Sequence, residues 1–288
     1  LWVYVIFNLF WGLNYNREGI ADQLGLEVRP YSTADLDTLA NVALSELSRL
    51  DIPARMHRAE LDQFSRLKKG AGRAYDELWA MEERVNDSLW LRNPMFPFPR
   101  LSVEPSLFRY PGVYIGFAGY YNPFTGEAQV NTLDPLSGQP YTICHEMAHQ
   151  LGYAKENEAN FVGFLAARSS DDPAFGYAAY MDMYLYAVRE LYVRDSALAL
   201  TFKGRLPPEV HADFLEQQRF NRKYENVFEP VIWALYGRYL KANRQPLGMV
   251  TYSEVTAWFI AYGKKYGWKS LKAWMAVPNY PPTDRVDF

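Results

Sequence analysis

Apolar positions recur at helical spacing over most of the chain. Leu36, Leu39, Ala40, Ala43, Leu44 and Leu47 follow Ser32 and Asp35, a capping-box arrangement, and predict a helix over 33–50. A second helical stretch is expected over 59–85, its exposed positions densely charged, with Gly70 and Gly72 marking a break or kink. The Pro-rich text of 93–111 opposes a helix and predicts an extended connector packed by its aromatics. Between Val113 and Asn131 the residues read as two short strands around a turn at Asn122-Pro123 and Thr125-Gly126, the second strand running from Glu127 to Thr132. Pro140 suits the first turn of the next helix. Beyond Asp172-Pro173, further helices are expected over 175–200, 208–243 and 252–266, the last opened by a capping-box match from Thr251 to Glu254. The fold class is therefore α+β and predominantly α-helical, with a small β-hairpin ahead of the helix that begins near Pro140.

The run Leu1 to Leu13, LWVYVIFNLFWGL, is apolar apart from Asn8 and Gly12. A spanning helix needs roughly 20 apolar residues, so residues 1–16 are read as the end of a transmembrane helix, with Trp11 and Tyr15 as interfacial aromatics and Arg17 outside. A buried N-terminal helix is the alternative. On the first reading the chain is membrane-anchored, and the few basic residues near the run, Arg17 and Arg29, lean its domain toward the extracytoplasmic face. Residues 17–111 then form a helical region with the Pro-rich connector and 112–288 a second domain, unless 17–288 is one continuous domain.

Composition narrows the chemistry. At 288 residues and 49% hydrophobic content, the chain has ample apolar material for a core. A net charge of -3 gives no basic footprint, so nucleic acid is not an expected partner. Cys144 is the only cysteine, which excludes an internal disulfide and a cysteine-rich metal cluster.

The segment His145-Glu146-Met147-Ala148-His149 carries the pattern H-E-x-x-H on an expected helix. Residues i and i+4 lie one above the other on a helix face, so His145 and His149 can present imidazole nitrogens to one Zn2+ ion. Glu146, about 100° further round the helix, can reach a metal-bound water and act as general base without being a ligand. Ile143, Met147 and Leu151 occupy the other side and can anchor the helix in a core. Gly152 can end it in the left-handed region and turn the chain back toward the site. A third ligand is then expected from Glu156 at the start of the following helix, with Asn160 at i+4 orienting a metal-bound histidine from behind. Glu158 is the alternative ligand.

The helix pair, H-E-x-x-H followed by Glu156-Asn-Glu-Ala159-Asn160, resembles the gluzincin metallopeptidases, whose third ligand is the Glu of an E-x-x-A-N/D motif on a following helix. The interval between His149 and Glu156 is shorter than the gluzincin norm. The stretches WGLNYNREGIADQLGL, GYYNPFTGEAQVN and HEMAHQLGYAKENEANFVGFLA are similar to an uncharacterised bacterial membrane family, domain of unknown function 3810, over most of the chain. The resemblance implies transmembrane helices before residue 1 and a zincin-like metallopeptidase domain acting on peptide or protein. In zincins the strand before the site helix edges the cleft and pairs with substrate, which here implies Glu127, Ala128, Gln129, Val130 and Asn131. Tyr252, Tyr120, Tyr121 and His211 are conceivable oxyanion partners, while His57 in its charged surroundings reads as solvated. A non-catalytic zinc module and a metal-free, membrane-anchored helical scaffold are the competing readings; Glu146 favours the enzyme, since a purely structural site needs no carboxylate beside its first ligand.

Overall fold

Ser32 and Asp35 cap the first long helix reciprocally: the Asp35 amide donates to Ser32 Oγ at 3.2 Å and the Ser32 amide to Asp35 Oδ2 at 2.8 Å. In a computed structural model that describes residues 2, 11–58, 64–85, 101–226, 234 and 251–273, this helix, α1, runs Thr33–Arg58. The side chains of 80–85 and 251–253 lie outside that description. So do most of the N-terminal apolar run, the expected continuation of a helix to 243, Tyr252 and the side chains opening the expected cap at Thr251.

α1 continues past the expected end at 50 because Pro53 and Ala54 are buried, and their packing outweighs the one backbone hydrogen bond that proline removes. Helix α2, Phe64–Val85, passes unbroken through both glycines. Gly70 is a contact point instead of a kink, since a Cβ there would lie 2.5 Å from the Phe175 ring. The Pro-rich region does not remain a connector throughout. Its described part forms strand β1, Val103–Pro105, and helix α3, Arg109–Ile115, which admits Pro111 in its first turn, where no intrahelical N–H bond is required. The helix takes Val113 to Ile115 out of the strand expected there.

Strands β2, Gly119–Asn122, and β3, Glu127–Val130, form the expected hairpin. The sheet order β1-β3-β2 makes β3 the central strand: β1 pairs with it in parallel and β2 antiparallel. The assignment of Glu127 to Asn131 as a substrate edge is thereby corrected. Both sides of β3 are occupied, because the end of the Pro-rich region adds a parallel strand that its composition conceals.

The remaining described helices are α4 Gln139–Gln150, α5 Glu156–Ser169, α6 Pro173–Arg194, α7 Ser196–Gly204, α8 Pro208–Tyr224 and α9 Thr251–Tyr266. The stretch expected as one helix over 175–200 breaks at Asp195, whose carboxylate accepts the Leu198 amide and caps α7. One contiguous core reaches from Ile20 to Leu271, and α4 and α5 contribute Ile143, Met147, Phe161 and Phe164 to it. The result is mainly helical, with the small sheet laid against α4.

Candidate metal centre

Three elements fix α4. Pro140 sits in its first turn, as its lack of an N–H favours. Its C-terminus closes in a Schellman arrangement: Gly152 adopts φ 92°, its amide donates to the His149 carbonyl at 2.8 Å, and the Tyr153 amide reaches the Ala148 carbonyl at 3.2 Å. Tyr75 on α2 donates to the Cys144 carbonyl at 2.6 Å, and Gln150 bridges to the hairpin turn at Gly126 and to the Ser102 amide. Ile143 and Met147 are buried on the far side, so the histidines face away from the core.

Glycine sets the two closest approaches to α4. A Cβ on Gly163 of α5 would lie 2.9 Å from the His145 backbone, so only glycine lets α5 pack this near the first histidine. A Cβ on Gly119 of β2 would lie 2.7 Å from Glu146 Cγ and Oε1 and 2.8 Å from the Gln129 carbonyl. The strand therefore rests directly on the Glu146 side chain. Replacing Gly119 by Ala should push Glu146 out of position, with a destabilisation of about 1–3 kcal/mol typical of overpacking. Urea unfolding of the Gly119→Ala protein beside the unaltered chain checks the cost.

The geometry brings His145, His149 and Glu156 together. His145 Nε2 lies 3.4 Å and His149 Nε2 3.8 Å from the same oxygen, Glu156 Oε2. Two ligands held about 2.0–2.1 Å from a tetrahedral zinc lie about 3.3–3.4 Å apart, so the His145 spacing matches an edge of a zinc site and the His149 spacing is about 0.4 Å longer. Donor atoms of His145, Glu146 and His149 also fall within 4.8 Å of one another. His149 Nδ1 faces the Tyr153 carbonyl at 2.7 Å, which fixes the tautomer that leaves Nε2 free to bind a metal. Glu146 is 4% exposed and its Oε2 has no hydrogen-bond partner among the described residues. A buried carboxylate oxygen left without a partner calls for a ligand or water. The Glu156 side chain is the most open of the group at 30% exposure, so the site is reached from its side.

The charges are arranged for a cation. Burial would lower the His149 pKa, but the hydrogen bond and charge of Glu156, with the charge of Glu146, outweigh it and raise it to about 9. Burial pushes Glu156 up, yet its hydrogen bonds to His145 and His149 hold it well below the usual carboxylate range. Glu146 is raised by burial, partly offset by the two imidazoles. Two carboxylates thus draw positive charge into the space between the ligand atoms.

Other expected residues fall elsewhere. Glu158, the alternative ligand, turns away: its Oε1 pairs with Lys155 Nζ at 3.1 Å, and its carboxylate accepts the Ile20 amide near Arg17. The helix phase explains this, since a step of two positions turns Glu158 about 200° from Glu156. Asn160 meets the Tyr141 hydroxyl at 3.4 Å, and the group that faces His149 Nδ1 is the Tyr153 carbonyl. Tyr121 projects to the same side of the sheet as Gly119 and stacks on Trp11 at 4.4 Å, with Trp11 edge-on to His149 at 6.2 Å. Tyr120 points the other way and donates to Gln129 Oε1. His211 lies on α8, and half-exposed His57 faces Asp172 at 3.7 Å.

The sequence reading missed three contributors, Trp11 as a wall of the site, Gly119 and Gly163, and it did not single out the carboxylate of Asp182 on α6. Burial raises Asp182 to about 7 against the charges of Arg189 and His145. A lone glycine within a strand does signal a close backbone approach, so Gly119 was open to detection.

Fold and site together define an α+β, mainly helical protein with a paired-helix His/His/Glu cluster beneath a three-stranded sheet. Residues 1–260 match the family described as a protein of unknown function, DUF3810, and the chain belongs to that family. No curated protein and no solved structure matches it.

Proposed function

We propose that this protein is a zinc-dependent metallopeptidase in which His145, His149 and Glu156 hold the metal and Glu146 is the general base. The observation that carries the reading is the convergence of both Nε2 atoms on Glu156 Oε2 at 3.4 and 3.8 Å, beside the partnerless Glu146 Oε2. When bound, zinc would bring the pKa of a coordinated water toward about 7 and polarise a substrate carbonyl. Glu146 takes the proton of the attacking water and passes it to the leaving amine nitrogen as the C–N bond breaks and the C–O bond forms. Its burial suits a group that must hold a proton briefly near neutral pH.

Peptide is favoured as substrate by β2. The Asn131 amide donates to the Ala118 carbonyl at 2.7 Å, so in the antiparallel register the polar groups of Gly119 and Tyr121 face away from β3. No other strand pairs with that side among the described residues. An extended chain adding there would run about 4.8 Å to the side of the strand that rests on Glu146.

A purely structural zinc site is disfavoured by the same partnerless carboxylate, which a closed tetrahedral centre has no use for. Membrane attachment through the apolar run 1–13 belongs to the proposal; no helix among the described residues is long and apolar enough to cross a membrane. The test is cleavage of a mixed peptide library by the detergent-purified full chain. Hydrolysis should stop on chelation and return with one equivalent of zinc; hydrolysis that is indifferent to the chelator would contradict the reading.

A further inference from the structure

The end of the apolar run and the turn that follows it are built into the back of the metal centre. Residues Gly12–Asn16 form a 3-10 turn, and Trp11 and Tyr15 pack with Ala154 and Tyr121 in a small cluster of their own. Arg17 follows, and its Nη1 donates to the Leu151 carbonyl at 2.9 Å. That carbonyl belongs to the C-terminal cap of α4, where the acceptors of a helix end lack intrahelical partners and a cation is favoured. The Arg17 guanidinium also lies over the Tyr153 ring, 5.4 Å from its centroid. Between the two contacts sits Gly152, where φ is 92° and an added Cβ would come within 2.3 Å of Arg17 Nη1 and 3.1 Å of Asn14 Oδ1.

These contacts hold the stretch from Leu151 to Ala154, which presents the Tyr153 carbonyl oxygen to His149 Nδ1 at 2.7 Å. The groups behind a metal-bound histidine set its tautomer, ring orientation and basicity. Trp11, 7% exposed, covers the same imidazole edge-on and keeps water from that flank. On the opposite side of the segment, a Cβ on Gly19 would lie 3.2 Å from Glu158 Oε1, so the first turn of the site's second helix packs against the same stretch of chain. Glu158, the alternative to Glu156 as ligand, thus lies between this stretch and the helix that carries Glu156.

We propose that Arg17 and Trp11 are positioning residues for His149, and that the segment they belong to sets the affinity and geometry of the metal centre. This rests on the zinc reading above. It makes the junction following the apolar run a part of the site, so that displacement of that junction loosens the metal.

The test compares zinc affinity, by chelator competition, and the visible spectrum of the cobalt(II)-loaded protein for full-length wild type, Arg17→Ala, Arg17→Lys and Trp11→Leu. Arg194→Ala serves as control, because Arg194 ties Tyr31 to Glu190 far along the chain from the site residues. Arg17→Ala and Trp11→Leu should each weaken zinc by about 10-fold or more, the lower end for groups behind a ligand, and shift the cobalt bands. Arg17→Lys, which can still donate to the Leu151 carbonyl, should recover most of the affinity. Arg194→Ala should lower the melting temperature without moving either readout. If wild type binds zinc and the folded Arg17→Ala and Trp11→Leu proteins bind it equally well with an unchanged cobalt spectrum, this inference fails alone. Failure of wild type to bind zinc overturns both it and the zinc reading.

Discussion

Glu146→Gln should remove peptide hydrolysis while leaving zinc in place. The side chain keeps its volume beneath Gly119, where the strand leaves no spare room, so the substitution exchanges a proton acceptor for an amide with little change in packing. Loss of a general acid–base group lowers a rate by about 10²–10⁴-fold. Because Glu146 Oε2 is buried without a partner, replacing the carboxylate also relieves a desolvation cost, and the variant should unfold at an equal or higher temperature than wild type. Turnover by the zinc-loaded variant within threefold of wild type would remove Glu146 from the mechanism.

Glu156→Gln and Glu158→Gln should separate cleanly, although only one residue lies between them. Glu156 Oε2 is the point on which both imidazoles converge, so losing its charge should weaken zinc by more than the roughly 10–100-fold typical of groups behind a ligand. Glu158 holds Lys155 and the Ile20 amide, so its replacement should cost stability and weaken zinc far less. Equal loss of zinc from both variants would mean that Glu156 acts through the fold and is not a ligand. Chelator competition and thermal melts on the same preparations give both quantities.

Much of the site was legible because it is local. The positions of His145 and His149 follow from helical spacing, the turn at Gly152 from its freedom to adopt positive φ, and Glu156 from its place at the start of the next helix. The cap at Ser32 and the hairpin around Asn122 to Gly126 were read from short-range chemistry of the same kind. What escaped depends on approaches between distant parts of the chain. Val103 to Pro105 has no pattern that announces a parallel partner, so β3 passed for an edge when β2 is the strand over Glu146. The packing of Gly163 against His145 and of Trp11 against His149 likewise follows from how helices and the N-terminal turn meet. Glu158 and Glu156 could not be told apart by spacing to the histidines alone; helix phase, once the helix start is known, separates them.

These relations all converge on one claim, that the space between His145, His149 and Glu156 is a zinc site. Its most direct test is the metal content of the full chain after dialysis against zinc-free buffer, measured by mass spectrometry with X-ray absorption at the zinc edge. One zinc per chain, with two imidazole nitrogens and oxygen donors at about 2.0–2.2 Å, is the expected result. A chain that retains no zinc, or holds it without imidazole in the spectrum, would contradict the account.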